Sequence, residues 1–129
     1  AVAMVAVGRT VNFANQAADG LEKDGMTCTV IAPRTTPPLD SGTILDCVAE
    51  TGRLGVVDES SPRCNMATDM AALVAEEAFD ALKAPILRVT PPHTPVPFAT
   101  NLEQLYMPDA AKIEAAVRSV MGYKAKQEA

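Results

Sequence analysis

The sequence predicts a Rossmann-like three-layer α/β/α domain with a mostly parallel sheet, and two observations carry that expectation. Short apolar runs rich in β-branched residues alternate with longer stretches of helical spacing, strand then helix, four times over. Such alternation implies right-handed βαβ crossovers, and hence parallel strands with helices on both faces. All ten prolines fall between these segments or at their ends, where a missing N–H interrupts no hydrogen-bond ladder.

The first strand is expected over Ala3 to Val7 (AMVAV), closed by Gly8. It begins almost at residue 1, and a natural domain rarely starts inside a core strand, so a piece of a longer polypeptide is expected. Helical spacing follows from Val11 to Lys23, with Ala14, Ala17, Ala18 and Leu21 on one side and Gly25 as a C-terminal stop. Thr27 to Ala32 (TCTVIA) reads as a second strand. Pro33, Pro37 and Pro38 then forbid regular structure, and Asp40 or Ser41 can cap a helix carrying Ile44, Leu45 and Val48 that ends at Gly52. Arg53 to Asp58 (RLGVVD) is a third strand. A long helix is expected from about Cys64 to Leu82, a fourth strand over Pro85 to Thr90, and a proline-rich connector over Pro91 to Pro97. A last helix runs from about Asp109 to Gly122 on the stripe Ile113, Ala116, Val117 and Val120. Residues 1–122 thus form one domain, and 123–129 a frayed tail.

Composition narrows the function classes. Of the 129 residues 48 % are apolar and only 4 % aromatic, with no tryptophan. The core must be aliphatic, and stacking platforms for single-stranded nucleic acid are lacking. Eleven Lys and Arg against 16 Asp and Glu leave a formal charge of −5, the wrong sign for a phosphate-backbone binder but suited to a basic partner. Cys28, Cys47 and Cys64 are odd in number and irregularly spaced, neither a disulfide framework nor a metal site. Reduced thiols, no apolar run near the ~20 residues of a membrane span and no signal-peptide pattern together predict a cytoplasmic protein.

In an open α/β sheet, ligands bind beyond the carboxyl ends of the strands. The loops expected there are Gly8-Arg9-Thr10, Pro33-Arg34-Thr35, Asp58 to Arg63 and Thr90 to Thr94. None carries GxGxxG or GxxxxGK[ST], and no GxSxG elbow occurs. His93, the only histidine, is either a general base or ligand donor, or, more simply, a loop residue held by its surroundings. Asp58 and Glu59 follow a strand; two carboxylates without further oxygen ligands make a poor cation site and are better read as caps for backbone amides. Arg9, Arg34 and Arg63 share this edge and offer either an anion site or salt bridges to a neighbouring subunit.

The long helix is more telling. At 100° per residue Met66, Met70, Leu73, Val74 and Ala78 form one apolar arc, with Asp69, Glu76 and Asp80 as an acidic stripe beside it. The far side holds Ala72, Ala75 and Phe79, a second apolar patch that a helix covering one sheet face does not need. This favours a helix packed between its own sheet and another subunit. Glu77 falls inside the main arc and is expected near the helix–sheet boundary or paired. The candidate partner surface is therefore Asp69, Glu76, Glu77, Phe79 and Asp80.

The segments PRTTPPLDSGTILDCVAETGRLGVVDES, ATDMAALVAEEAFDALKAPILRVTPPHTPVPF and LEQLYMPDAAKIEAAV closely resemble the C-terminal domain of the β subunit of thiamin-diphosphate-dependent 2-oxoacid dehydrogenases, within the transketolase C-terminal domain superfamily. SSPRCNMATDM and TPPHTPVPF look most like the acetoin and pyruvate branch. In that family thiamin diphosphate and magnesium are held elsewhere, between the α subunit and an earlier domain of the β chain. Their GDG motif, the pyrimidine-domain glutamate and the channel histidines are absent here. The resemblance therefore implies no catalytic, cofactor-binding or metal residue in this domain. It implies contact with a second β subunit and an α subunit, and docking of the peripheral-subunit-binding domain of a lipoyl acyltransferase. That partner is usually basic. Two alternatives stay open: the equivalent domain of a transketolase or deoxyxylulose-phosphate synthase, and a stand-alone small-anion-binding module using Arg9, Arg34 and Arg63.

Overall fold

Four short strands line up in the order β2-β1-β3-β4, every neighbouring pair parallel. The computed structural model describes residues 1–33 and 40–122; Arg34 and the tail expected to fray lie outside the described residues. The strands are β1 (Val2–Ala6), β2 (Cys28–Ile31), β3 (Leu54–Val57) and β4 (Leu87–Val89). Between and after them run α1 (Thr10–Glu22), α2 (Ser41–Thr51), α3 (Met66–Glu77), α4 (Thr100–Tyr106) and α5 (Ala110–Met121).

Central strands buried on both faces explain why β1 and β3 read as unbroken apolar runs rather than alternating ones. All five residues of β1 and all four of β3 are buried. On one face Val2, Met4, Ala6 and Val57 pack against Ala14, Ala17 and Leu21 of α1 and Ile113 and Val117 of α5. On the other, Ala3, Val5, Leu54 and Val56 meet Ile44 and Val48 of α2 and Ala67, Met70 and Val74 of α3. This is the predicted three-layer arrangement. Each fully buried Val, Leu, Ile or Met contributes roughly 1.5–3 kcal/mol of transfer free energy, so the sheet and its two helix layers supply most of the cohesion.

The caps follow the chemistry of their residues. Asp40 accepts from Thr43 N–H at 3.3 Å and opens α2, and Gly52 closes it in the left-handed region at φ 73°. Asn65 accepts from Thr68 N–H at 2.9 Å at the start of α3, and Asp109 accepts from Lys112 N–H at 2.8 Å at the start of α5.

The structure corrects two expectations. The long helix does not reach Leu82. Ala78 leaves helical geometry (φ −134°, ψ 24°), and Phe79–Ala81 form a 3₁₀ turn. No breaker residue stands there; the tighter turn brings the N–H of Lys83 to the carbonyl of Gly52 at 2.7 Å, anchoring the chain before β4 runs beside β3. In addition, α4 forms where no helix is expected. It is short, lacks a side-chain cap, and is held at its end by Lys112 Nζ, which donates to the carbonyls of Leu105 (2.7 Å) and Met107 (2.6 Å).

Candidate functional site

The crevice beyond β1 and β3, where the strand order reverses, is where a sheet of this kind accepts ligands. Here the loops after β1 and β3 are tied to one another. Thr10 Oγ1, buried at the start of α1, donates to the carbonyl of Val7 and accepts from its N–H, and lies 3.3 Å from the carbonyl of Val57. Arg9 Nε pairs with Glu59 Oε2 at 3.4 Å across the mouth. Asp58 is only 3 % exposed and accepts from Ser60 N–H at 3.1 Å, which closes the turn after β3.

The remaining sheet-edge candidates spread apart. His93 Nδ1 sits 2.9 Å from Ser61 Oγ, tying the loop after β4 to the loop after β3. Arg63 is exposed and shares no hydrogen bond with Arg9 or His93 among the described residues. Arg88, unremarked in the sequence, donates to the carbonyl of Pro62 at 2.6 Å and to Thr68 Oγ1 at 3.0 Å. Together these contacts brace the segment before α3. They gather no nucleophile–base–orienter set, and among the described residues no three His, Cys, Asp or Glu side chains stand together to hold a metal ion.

Burial pushes the thiol of Cys28 up to about 11, with Cys47 as a second cause. It likewise raises that of Cys47, with Glu50 adding to the effect. Both stay protonated at neutral pH and are poor nucleophiles.

The end of α3 presents a surface of another kind. Phe79 is 69 % exposed and stands between two grooves. The first, about 420 Å³, lies between α2 and the 3₁₀ turn and gathers Asp46, Glu76, Glu77, Phe79 and Asp80. The second, about 600 Å³, is lined by Ala75, Phe79, Leu82, Pro85 and Ile86 together with Asp80 and Lys83. The ion pairs among the described residues are Arg9–Glu59 and Arg118–Asp24. Neither touches the groove, so its exposed carboxylates form no ion pair among the described residues.

Of the five surface candidates, Glu76, Glu77, Phe79 and Asp80 come together, while Asp69 lies at the opposite end of α3, about 10 Å along the helix. Glu77 is exposed and unpaired among the described residues, contrary to the expected boundary position. The buried line of α3 runs through Ala67, Met70 and Val74, and Glu77 lies off it. Asp46 is the residue that sequence reasoning missed. It comes from α2, thirty positions before Glu76, and its place on the exposed side of an amphipathic helix was the one available signal.

Residues 1–113 match the model of the transketolase C-terminal domain. The chain belongs to that family. This transketolase C-terminal domain is 54 % identical, over 93 % of its length, to the β subunit of acetoin:2,6-dichlorophenolindophenol oxidoreductase of Cupriavidus necator, and covers 36 % of that protein. It is 46 % identical to the Bacillus subtilis subunit of the same description, over 94 % of this chain and 35 % of the relative. It is 38 % identical to the β subunit of the pyruvate dehydrogenase E1 component of Rhizobium meliloti, over 91 % of this chain and 25 % of the relative. The chain thus spans about a third or less of these curated relatives. A solved split-gene transketolase, described as an inactive β4 tetramer, superposes on 96 % of this chain and 39 % of its own with a TM-score of 0.81 at 24 % identity, which shows a shared fold.

Proposed function

We propose that residues 1–122 serve as the non-catalytic C-terminal domain of the β subunit of an acetoin- or pyruvate-type 2-oxoacid dehydrogenase. In a cytoplasmic complex this domain holds its subunit against a second β subunit and an α subunit. It also docks the basic peripheral-subunit-binding domain of a lipoyl acyltransferase. The observation that carries the docking half is the ridge of Phe79 rising beside four carboxylates, Asp46, Glu76, Glu77 and Asp80, that form no ion pair among the described residues. An exposed aromatic anchor within an acidic rim suits a partner bearing Lys or Arg around an apolar pocket.

The parent enzyme would use thiamin diphosphate and magnesium to cleave the substrate next to its carbonyl carbon. The described residues do not fit that cofactor. Among them no three His, Cys, Asp or Glu side chains stand together to hold a metal ion, and beside the start of α1 the guanidinium of Arg9 is already paired with Glu59. No chemical step is assigned to this chain.

Calorimetric titration with the cognate peripheral-subunit-binding domain tests the docking. Saturable binding that weakens with added salt is expected, and Glu76→Lys with Asp80→Lys should reduce affinity at least tenfold. Binding indifferent to salt and to both reversals would remove this surface from the reading.

A further inference from the structure

Beyond the carboxyl ends of β3 and β4, three side chains able to donate to an anion are placed around one short stretch of chain. His93 Nδ1 lies 2.9 Å from Ser61 Oγ. Arg88 Nη1 donates to the carbonyl of the next residue, Pro62, at 2.6 Å and to Thr68 Oγ1 at 3.0 Å. Arg63 follows directly in the chain. The backbone from Ser61 to Arg63 spans no more than about 8 Å, and the three side chains that meet it, Arg63, Arg88 and His93, are all exposed.

The carboxylates of this edge are engaged elsewhere. Glu59 is paired with Arg9. Asp58 is buried and accepts from Ser60 N–H. Asp69, next in α3 to Thr68, forms no ion pair among the described residues, and neither arginine has an ion-pair partner there. In a chain with 16 carboxylates and a net charge of −5, two guanidinium groups left side by side repel each other, and an outside anion relieves that repulsion.

We propose that Arg63, Arg88 and His93, set around Ser61 and Pro62 at this edge of the sheet, bind a small phosphate monoester. The position is the one at which an open α/β sheet receives ligands. The donors point to the class. Both bonds of Arg88 use Nη1, which leaves Nη2 and Nε for a ligand. When His93 Nδ1 accepts from the Ser61 hydroxyl, Nε2 carries the hydrogen and donates outward. Arg63 adds a second guanidinium. These groups come from β4, from the loop after it and from the loop after β3, so they approach from different sides. A tetrahedral group with three acceptor oxygens can meet all of them, whereas a planar carboxylate fills one guanidinium fork. The loop is also held in place beforehand: Asn65 Nδ2 donates to the carbonyl of Ser61 at 2.6 Å and Thr68 Oγ1 to that of Pro62 at 3.2 Å. Binding therefore orders little more than the arginine side chains. Among the described residues no three His, Cys, Asp or Glu side chains stand together to carry a bridging metal ion. The guanidinium groups hold the anion directly, which separates this ligand from a metal-bridged diphosphate.

Titration of the ¹⁵N-labelled chain with glycerol 3-phosphate, at an ionic strength held constant with chloride, tests the proposal through backbone amide shifts. Saturable shifts are expected at residues 60–64 and around Arg88 and His93, with a Kd on the order of 1 mM for a few charge-assisted bonds at an exposed site. Acetate at the same ionic strength should bind roughly tenfold more weakly. Arg63→Gln should weaken phosphate binding about fivefold, and His93→Asn, which keeps an acceptor toward Ser61 but removes Nε2, about threefold, both with Tm unchanged. Arg9→Gln, at a residue turned to Glu59, should leave the affinity as it was. No saturable shift by about 20 mM, some twentyfold above that Kd, overturns the proposal. So does an equal response to acetate, or an affinity indifferent to both Arg63→Gln and His93→Asn. Each of these failures leaves docking at Phe79 intact, because the two surfaces share no residue.

Discussion

Replacing Gly52 by alanine gives the sharpest test of how α2 is joined to the rest of the fold. Gly52 holds φ at 73°, where an alanine pays roughly 1–2 kcal/mol for its Cβ. It also faces a neighbour: a Cβ there would lie 2.8 Å from Lys83 Cδ. Gly25 provides the control, with φ 77° and nothing within 4 Å of a built Cβ. Gly25→Ala should therefore cost about 1–2 kcal/mol, the backbone contribution alone. Gly52→Ala should cost that amount plus about 1 kcal/mol for displacing the Lys83 side chain, which is exposed and free to swing. Urea unfolding with an unchanged m-value reads both. In a Lys83→Ala background the excess at Gly52 should vanish and the two glycines become equivalent. Equal losses at Gly25 and Gly52 with Lys83 in place would refute the steric part. A loss below 0.3 kcal/mol at Gly25 (about half of RT) would refute the conformational part.

Two further outcomes follow from buried groups. Thr10→Val keeps shape but removes the hydroxyl that serves both the N–H and carbonyl of Val7; the loss should be about 1–3 kcal/mol by thermal or urea unfolding. Cys28, raised from 9.0 to about 11 in the fold, binds its proton more tightly folded than unfolded. Stability is therefore insensitive to this group below pH 9 and falls as pH climbs from 9 through 11. At pH 8 Cys28 should resist iodoacetamide while the exposed Cys64 is alkylated, as peptide mapping by mass spectrometry will show.

The layers were legible because burial on both faces leaves a plain trace: AMVA and LGVV carry no polar residue, and helices on both sides are the arrangement that requires this. Asp40 and Gly52 marked the ends of α2 for equally local reasons. What escaped was decided elsewhere in space. Phe79 and Leu82 continue an acceptable helical pattern, and it is the contact between Lys83 and Gly52 that ends α3 early. The helix at Thr100–Tyr106 carries its leucines on the solvent side and no side-chain cap, so neither a stripe against the core nor a start signal announces it. At the surface, Glu76, Glu77 and Asp80 were readable from one helix. Asp46 was not, since its nearness depends on how α2 lies beside α3. The pairing of Arg9 with Glu59 joins residues fifty apart in sequence, beyond what spacing can reveal.

The outer strand β4 has only three residues, Leu87, Arg88 and Val89, with a charged side chain at the middle. An edge that short offers too few free amides and carbonyls to seed pairing with another sheet, and its arginine resists the flat stacking that fibrils require. At that edge growth strand upon strand is thereby discouraged, while the opposite edge, β2 (Cys28–Ile31), carries no charge of its own. The large exposed apolar side chains Phe79, Val96, Phe98, Leu102 and Leu105 lie instead on helices, turns and loops. Contact at the β4 edge is thus left to side chains and not to the backbone ladder.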